Sequence, residues 1–69
     1  IMNISVIIPV FNEEKTLINL LKKVNDQQSE DFKLEILVID DGSTDNSRKL
    51  LESNENLYSK LIKLEKNIG

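Results

Sequence analysis

The apolar positions of this chain fall into two kinds of run. Ile4-Ser5-Val6-Ile7-Ile8 and Leu34-Glu35-Ile36-Leu37-Val38-Ile39 are short, nearly continuous and rich in branched side chains. A strand with one wet face alternates apolar with polar, whereas an unbroken run such as Ile36 to Ile39 fits a parallel strand covered on both faces. Between these runs, Leu17, Ile18, Leu20, Leu21 and Val24 recur at helical spacing and form a one-sided stripe. Core packing accounts for that stripe. The pattern predicts a strand over residues 4–8, closed by Pro9 because proline cannot continue a central ladder. A helix follows from about Glu13 to about Asn25. Asn12 stands where an N-cap is wanted, and Glu13 and Glu14 suit the positive end of the helix dipole. The stretch Asp26 to Asp31 is polar and aperiodic, so it reads as a surface loop.

After Ile39 the polarity switches abruptly to Asp40-Asp41-Gly42-Ser43-Thr44-Asp45. A second helix can then run to about Ser53, with Thr44 or Ser43 as its N-cap and Asp45 in its first turn. Asn54-Glu55-Asn56 interrupts it. Leu57, Leu61 and Leu64 have helical spacing, yet residues 60–65 fit a short strand equally well. The alternation of elements favours a third parallel strand over about Leu61–Leu64, joined by right-handed crossovers. The expected fold class is therefore α/β: a Rossmann-like β-α-β-α-β unit, one half of a parallel three-layer domain. Its sheet edges would stand unpaired, and Asn67-Ile68-Gly69 reads as a loop. Residues 1–69 are accordingly expected to be the N-terminal nucleotide-binding portion of a single, larger domain.

Composition narrows the chemistry. The chain has 69 residues, no cysteine, no histidine and no tryptophan, and a net charge of −3. A domain near this length buries only about 60% of its unfolded surface, so its core is small. Disulfides, thiolate metal sites and Ser-His catalysis are excluded by residue type. The acidic balance and the lack of a basic cluster argue against nucleic acid as a partner. No apolar stretch approaches the roughly 20 residues of a membrane span, and no secretory leader pattern is present.

The remaining signals sit where the two long strands end. One offers Pro9, Phe11, Asn12 and Glu13; the other offers Asp40, Asp41, Gly42 and Ser43. In open α/β sheets the carboxyl ends of the strands are where ligands bind. A proline and an aromatic ring can pack on a flat base. A carboxylate can accept hydrogen bonds from base N–H groups or ribose hydroxyls. Neither a Gly-x-Gly-x-x-Gly turn nor a P-loop is present, so phosphates would have to be held elsewhere by positive charge. Asp-Gly-Ser is also ordinary turn chemistry, but a turn alone leaves the first loop unexplained.

Three segments together resemble the opening of a family 2 glycosyltransferase of the GT-A fold: Ser5 to Glu14, Glu35 to Asp45, and Lys66-Asn67-Ile68-Gly69. The Asn12-Glu13 and Lys66-Asn67 pairs look most like the dolichol- or polyprenol-phosphate sugar synthases, such as dolichol-phosphate mannose synthase. The resemblance implies transfer of a sugar, with inversion, from a UDP- or GDP-sugar to a polyprenyl-phosphate or glycan acceptor. It implies that Pro9, Phe11 and Glu13 line the base pocket and that Asp41 contacts base or ribose. It further implies that Asp40 supports the loop and that Gly42 lets the chain turn close to the nucleotide. A divalent cation, Mg²⁺ or Mn²⁺, is expected in the complete enzyme. Its Asp-x-Asp ligands, the catalytic base and the acceptor site are all expected outside this chain, because no Asp-x-Asp occurs in it. The chain alone is expected to be inactive. The resemblance also implies a cytoplasmic location, at the membrane face where the remaining part supplies an anchor. The competing expectation is a non-enzymatic flavodoxin-like binding or regulatory module, which likewise gathers acids at strand ends.

Overall fold

A computed structural model describes residues 2–65. The elements are β1 (Met2–Val10), α1 (Leu17–Asn25), β2 (Phe32–Asp41), α2 (Ser47–Ser53), a 3₁₀ turn (Glu55–Leu57) and β3 (Lys60–Leu64). The third motif, residues 66–69, lies outside the described residues.

The three strands are parallel, in the order β1-β2-β3. Met2 pairs with Phe32 and Val10 with Asp40; Leu37 pairs with Lys60 and Asp41 with Leu64. This order separates the two expected topologies. A flavodoxin-like sheet places its first strand between the second and third, whereas a Rossmann half places the second in the middle. Here β2 is central, as its apolar run requires, and the fold is Rossmann-like.

Leu17 and Leu21 of α1 and Leu51 of α2 join Ile8, Val10, Ile36 and Val38 in one core. Both helices therefore lie on the same face of the sheet. The physical reason is the path: two crossovers of one hand that step the same way along a sheet leave their helices on one side. Side chains alternate along a strand, so the even-numbered positions of β1 and β2 face the helices. The odd-numbered ones do not. Ile7 is 62% exposed, Ile62 of β3, level with Ile39, is 39% exposed, and Leu37 and Ile39 are half-buried. The cover expected on both faces of the central run is present on one face only, so the described residues build two of the expected layers.

Three boundaries differ from expectation. The first strand continues through Pro9 to Val10, because β1 is an edge strand among those described, and an edge tolerates proline. Helix α1 starts at Leu17 rather than near Glu13. Helix α2 starts at Ser47, with neither Ser43 nor Thr44 as its cap. Both delays have one cause: the polar groups that would begin the helices are bonded to the opposite loop.

Candidate nucleotide site

All three strands end on one edge of the sheet, with Val10 level with Asp40 and Asp41 level with Leu64. The loops leaving β1 and β2 meet there. Asn12 is the clamp between them. Its backbone is left-handed (φ 50°), a conformation asparagine visits more readily than most residues. Asn12 Oδ1 accepts the N–H groups of Thr44 (2.7 Å) and Asp45 (3.2 Å). Its amide Nδ2 donates to Thr44 Oγ1 (3.2 Å), and its backbone N–H donates to Ser43 Oγ (3.0 Å). Asn12 thus caps no helix. The next two amides follow the same course: Glu13 N–H donates to Ser47 Oγ (2.8 Å) and Glu14 N–H to Asp45 Oδ2 (3.2 Å). Asp45 Oδ1 accepts from Ser47 N–H (2.8 Å) and takes the place expected of Thr44 at the start of α2. Partial desolvation opposes ionisation of Asp45. The bonds from Ser47 and Glu14 outweigh it and hold its carboxyl below the ordinary carboxylate range.

The adjacent acids Asp40 and Asp41 divide between the two faces of the sheet, as the strand period demands. Asp40 is on the helix side and is fully buried. Its Oδ1 accepts from Ser43 N–H (3.3 Å) and Ser43 Oγ (2.5 Å), and its Oδ2 accepts from Arg48 Nε (2.5 Å). With both oxygens engaged, Asp40 has the place of a loop support and is closed to direct contact with a nucleotide. Asp41 is on the other face. It is half-buried, and its Oδ1 is enclosed with no hydrogen-bond partner among the described residues. An enclosed carboxylate oxygen without a donor is costly. Gly42 follows with φ 72°, where a Cβ would be unfavourable. Phe11 is 41% exposed, and Pro9 and Glu13 are exposed as well. The structure therefore gathers Pro9, Phe11, Glu13, Asp41 and Gly42 on one edge and withdraws Asp40 beneath it.

An open groove of about 360 Å³ lies at the first loop, lined by Asn12, Glu13, Glu14, Lys15, Thr16 and Asp45. A wider one, about 530 Å³, lies where α2 ends and β3 begins, lined mainly by charged side chains such as Glu52, Glu55 and Lys60. That second groove runs along β3, and its lining holds none of the strand-end acids. Among the described residues no group of three or more His, Cys, Asp or Glu side chains is placed to hold a metal ion. The described residues therefore do not by themselves make a cation site. Among the same residues no helix is long and apolar enough to cross a membrane.

Residues 5–69 match the model of the family described as glycosyl transferase family 2. The chain belongs to that family. Over 58 residues it is 41% identical to undecaprenyl-phosphate 4-deoxy-4-formamido-L-arabinose transferase of Proteus mirabilis, covering 83% of this chain and 18% of that protein. Over 69 residues it is 38% identical to the poly(ribitol-phosphate) beta-N-acetylglucosaminyltransferase TarS of Staphylococcus aureus, covering 99% of this chain and 12% of that protein. The crystal structure of S. aureus TarS 1-349 superposes with a TM-score of 0.79 at 35% identity, covering 99% of this chain and 20% of that one. The same TarS portion in complex with UDP-GlcNAc gives 0.79 at 34% identity, covering 96% of this chain and 19% of that one. This family 2 chain spans only 12% to 27% of the length of the curated relatives it matches.

Three residues of this loop cluster have roles that sequence reasoning does not assign. Asn12 reads as a helix cap, and only the meeting of two distant loops makes it a clamp. Ser47 reads as an ordinary helix residue but is fully buried beneath Glu13. Arg48 does carry a signal: a cation in the first turn of a helix opposes the dipole, which asks for a specific anionic partner.

Proposed function

We propose that this chain is the nucleotide-recognition part of a nucleotide-sugar glycosyltransferase whose remaining sequence completes the domain. The whole enzyme would transfer a sugar from a UDP- or GDP-sugar to a polyprenyl-phosphate or glycan acceptor. The observation that carries the reading is Asp41, a half-buried carboxylate at the end of the central strand beside the exposed first loop, whose enclosed Oδ1 has no partner among the described residues. In this reading Phe11 and Pro9 pack on the base, Asp41 accepts hydrogen bonds from base N–H or ribose hydroxyl groups, and Glu13 closes the pocket side. Gly42 lets the backbone approach the nucleotide. Solved TarS complexes with UDP-GlcNAc and with UDP support a nucleotide-sugar donor, and the names of the relatives, an undecaprenyl-phosphate transferase and a poly(ribitol-phosphate) transferase, support a lipid-phosphate or polymer acceptor. The divalent cation, the acceptor site and the catalytic base would come from residues beyond this chain. The chain by itself would transfer no sugar.

Calorimetric titration of the full-length protein with UDP and with GDP tests the reading. One nucleotide should bind, and Asp41→Asn should weaken it roughly tenfold or more, since hydrogen bonds to a charged group contribute about 1.5–3 kcal/mol. Phe11→Ala should cost a similar factor through lost stacking, about 1–3 kcal/mol per base. No binding of either nucleotide, or binding that ignores Asp41→Asn, would sink the assignment.

A further inference from the structure

Arg48 has no place in the reading so far, and its surroundings give it one. Its Nε donates to Asp40 Oδ2 (2.5 Å), and its Nη2 donates to the carbonyl of Leu64 (2.8 Å), the last residue of β3. Asp40 in turn holds Ser43 through both the hydroxyl and the backbone N–H. Ser43 Oγ accepts the N–H of Asn12, the first residue past Phe11. These bonds form one unbroken path, Leu64–Arg48–Asp40–Ser43–Asn12. It crosses the ends of all three parallel strands beneath the edge where Phe11, Asp41 and Gly42 stand.

We infer that Arg48 is a positioning residue for the nucleotide site, acting through Asp40 to fix the Asp41–Gly42–Ser43 turn. The inference rests on the nucleotide-binding reading above and adds to it the residue that sets the turn's geometry. Two features support it over a purely structural ion pair. First, the Asp40 side chain is fully buried and that of Arg48 is 30% exposed, so the carboxylate meets this cation and not water. An unpaired buried carboxylate would draw in solvent or swing outward, and either movement passes directly to Ser43. Second, the guanidinium fork spends its two arms on different strands. A lysine ammonium is a point charge on a flexible stem and does not reproduce that fork. Two of its donor nitrogens, Nε and Nη2, are thereby engaged by Asp40 and Leu64.

The test uses the full-length protein with Arg48→Met, Arg48→Lys, the double variant Asp40→Asn/Arg48→Met, and Asp41→Asn as a direct-contact control. UDP and GDP affinities are measured by calorimetry, donor KM and kcat by sugar transfer, and the folded fraction by denaturant unfolding. Arg48→Met should raise the nucleotide Kd and donor KM at least tenfold in the folded protein, with kcat changed less. Arg48→Lys should recover only part of that loss. The double variant buries no unpaired charge, so it should regain stability while its Kd stays high. A double variant that is stable and binds normally would overturn the inference and leave the pair a structural one. So would an Arg48→Met protein that folds and binds as the unaltered one does. If those variants bind normally while Asp41→Asn does not, the positioning role fails and the nucleotide site stands. If the unaltered protein binds neither UDP nor GDP, both fail together.

Discussion

The core under the helices and the loop cluster at the strand ends are held by different physics. In the core, Leu17, Leu21, Ile36, Val38 and Leu51 are sealed from water, and their contacts are short-ranged but undirected. At the strand ends, Asn12, Ser43, Asp45 and Ser47 hold two loops together through hydrogen bonds of fixed geometry. A core of this kind responds to volume, whereas a polar cluster responds to the placement of each donor and acceptor. The difference explains why the site tolerates exposure while the core does not. The loops do not need to exclude water to stay in place.

The largest effect that would sharpen the contrast lies in the core. Leu51→Ala should destabilise the protein by about 2–5 kcal/mol, as buried leucine truncations do, measured by denaturant unfolding. The volume-conserving Leu51→Met should cost less than about 1.5 kcal/mol. Near-equal costs for the two would show that Leu51 is less tightly packed than its full burial implies.

Substitutions at Asn12 should behave the opposite way. Asn12→Asp matches the original in shape yet gives up the amide donor to Thr44 and adds charge near Asp45. Asn12→Ala loses the side-chain bonds and also meets the left-handed backbone without asparagine's tolerance for it, a conformation that costs an ordinary residue about 1–2 kcal/mol. Asn12→Gly loses the same bonds but fits the backbone. Asn12→Ala should therefore be the less stable of those two, by roughly 1 kcal/mol. Equal stabilities in unfolding experiments would show that the φ of 50° carries no strain.

A third comparison is set by pH. The carboxyl of Asp45 is held below its ordinary value in the folded protein. Its contribution is thus fully present above the unfolded carboxylate range, about pH 4, and is lost as pH falls through the folded value. Unfolding midpoints taken from pH 6 down to pH 3 should decline, and Asp45→Asn should flatten that decline. Tyr58 has the opposite sign. Burial first, and the nearby Glu55 next, push its hydroxyl upward while that hydroxyl donates to the Leu51 carbonyl. Its contribution holds below about pH 10 and is lost as pH rises through the folded value.

The smallest effect belongs to the exposed pair Lys63–Glu52. Glu52→Gln should change stability by no more than about 1 kcal/mol, because solvent screens such pairs, and 0.5 M salt should remove the difference. A larger cost would mean that this end of the sheet is more enclosed than the exposure of the two side chains indicates.

Much of the fold is legible in the residues themselves. The apolar runs of β1 and β2, the stripe from Leu17 to Val24 and the break at Asn54 are local signals, and the elements lie where they point. β3 was open between helix and strand, and its alternation with the helices decided it correctly. The element starts were harder, because Glu13, Glu14 and Asp45 suit a helix N-terminus by type. Their bonding partners come from more than thirty positions away, and no local preference reports that.

The sequence by itself determined that two parallel strands would end beside each other with Phe11, Glu13, Asp41 and Gly42 at their tips. It also required Asp40 and Asp41 to face opposite ways, since successive strand residues always do. Which acid would be buried was decided by tertiary structure alone. Periodicity records that a residue has a covered side but not what covers it. The crossovers placed both helices over the even-numbered positions, so Asp40 met Arg48 under α2 and Asp41 was left half-buried on the other face. That choice depends on the hand and direction of the chain's path, which is a property of the whole sheet and of no single residue.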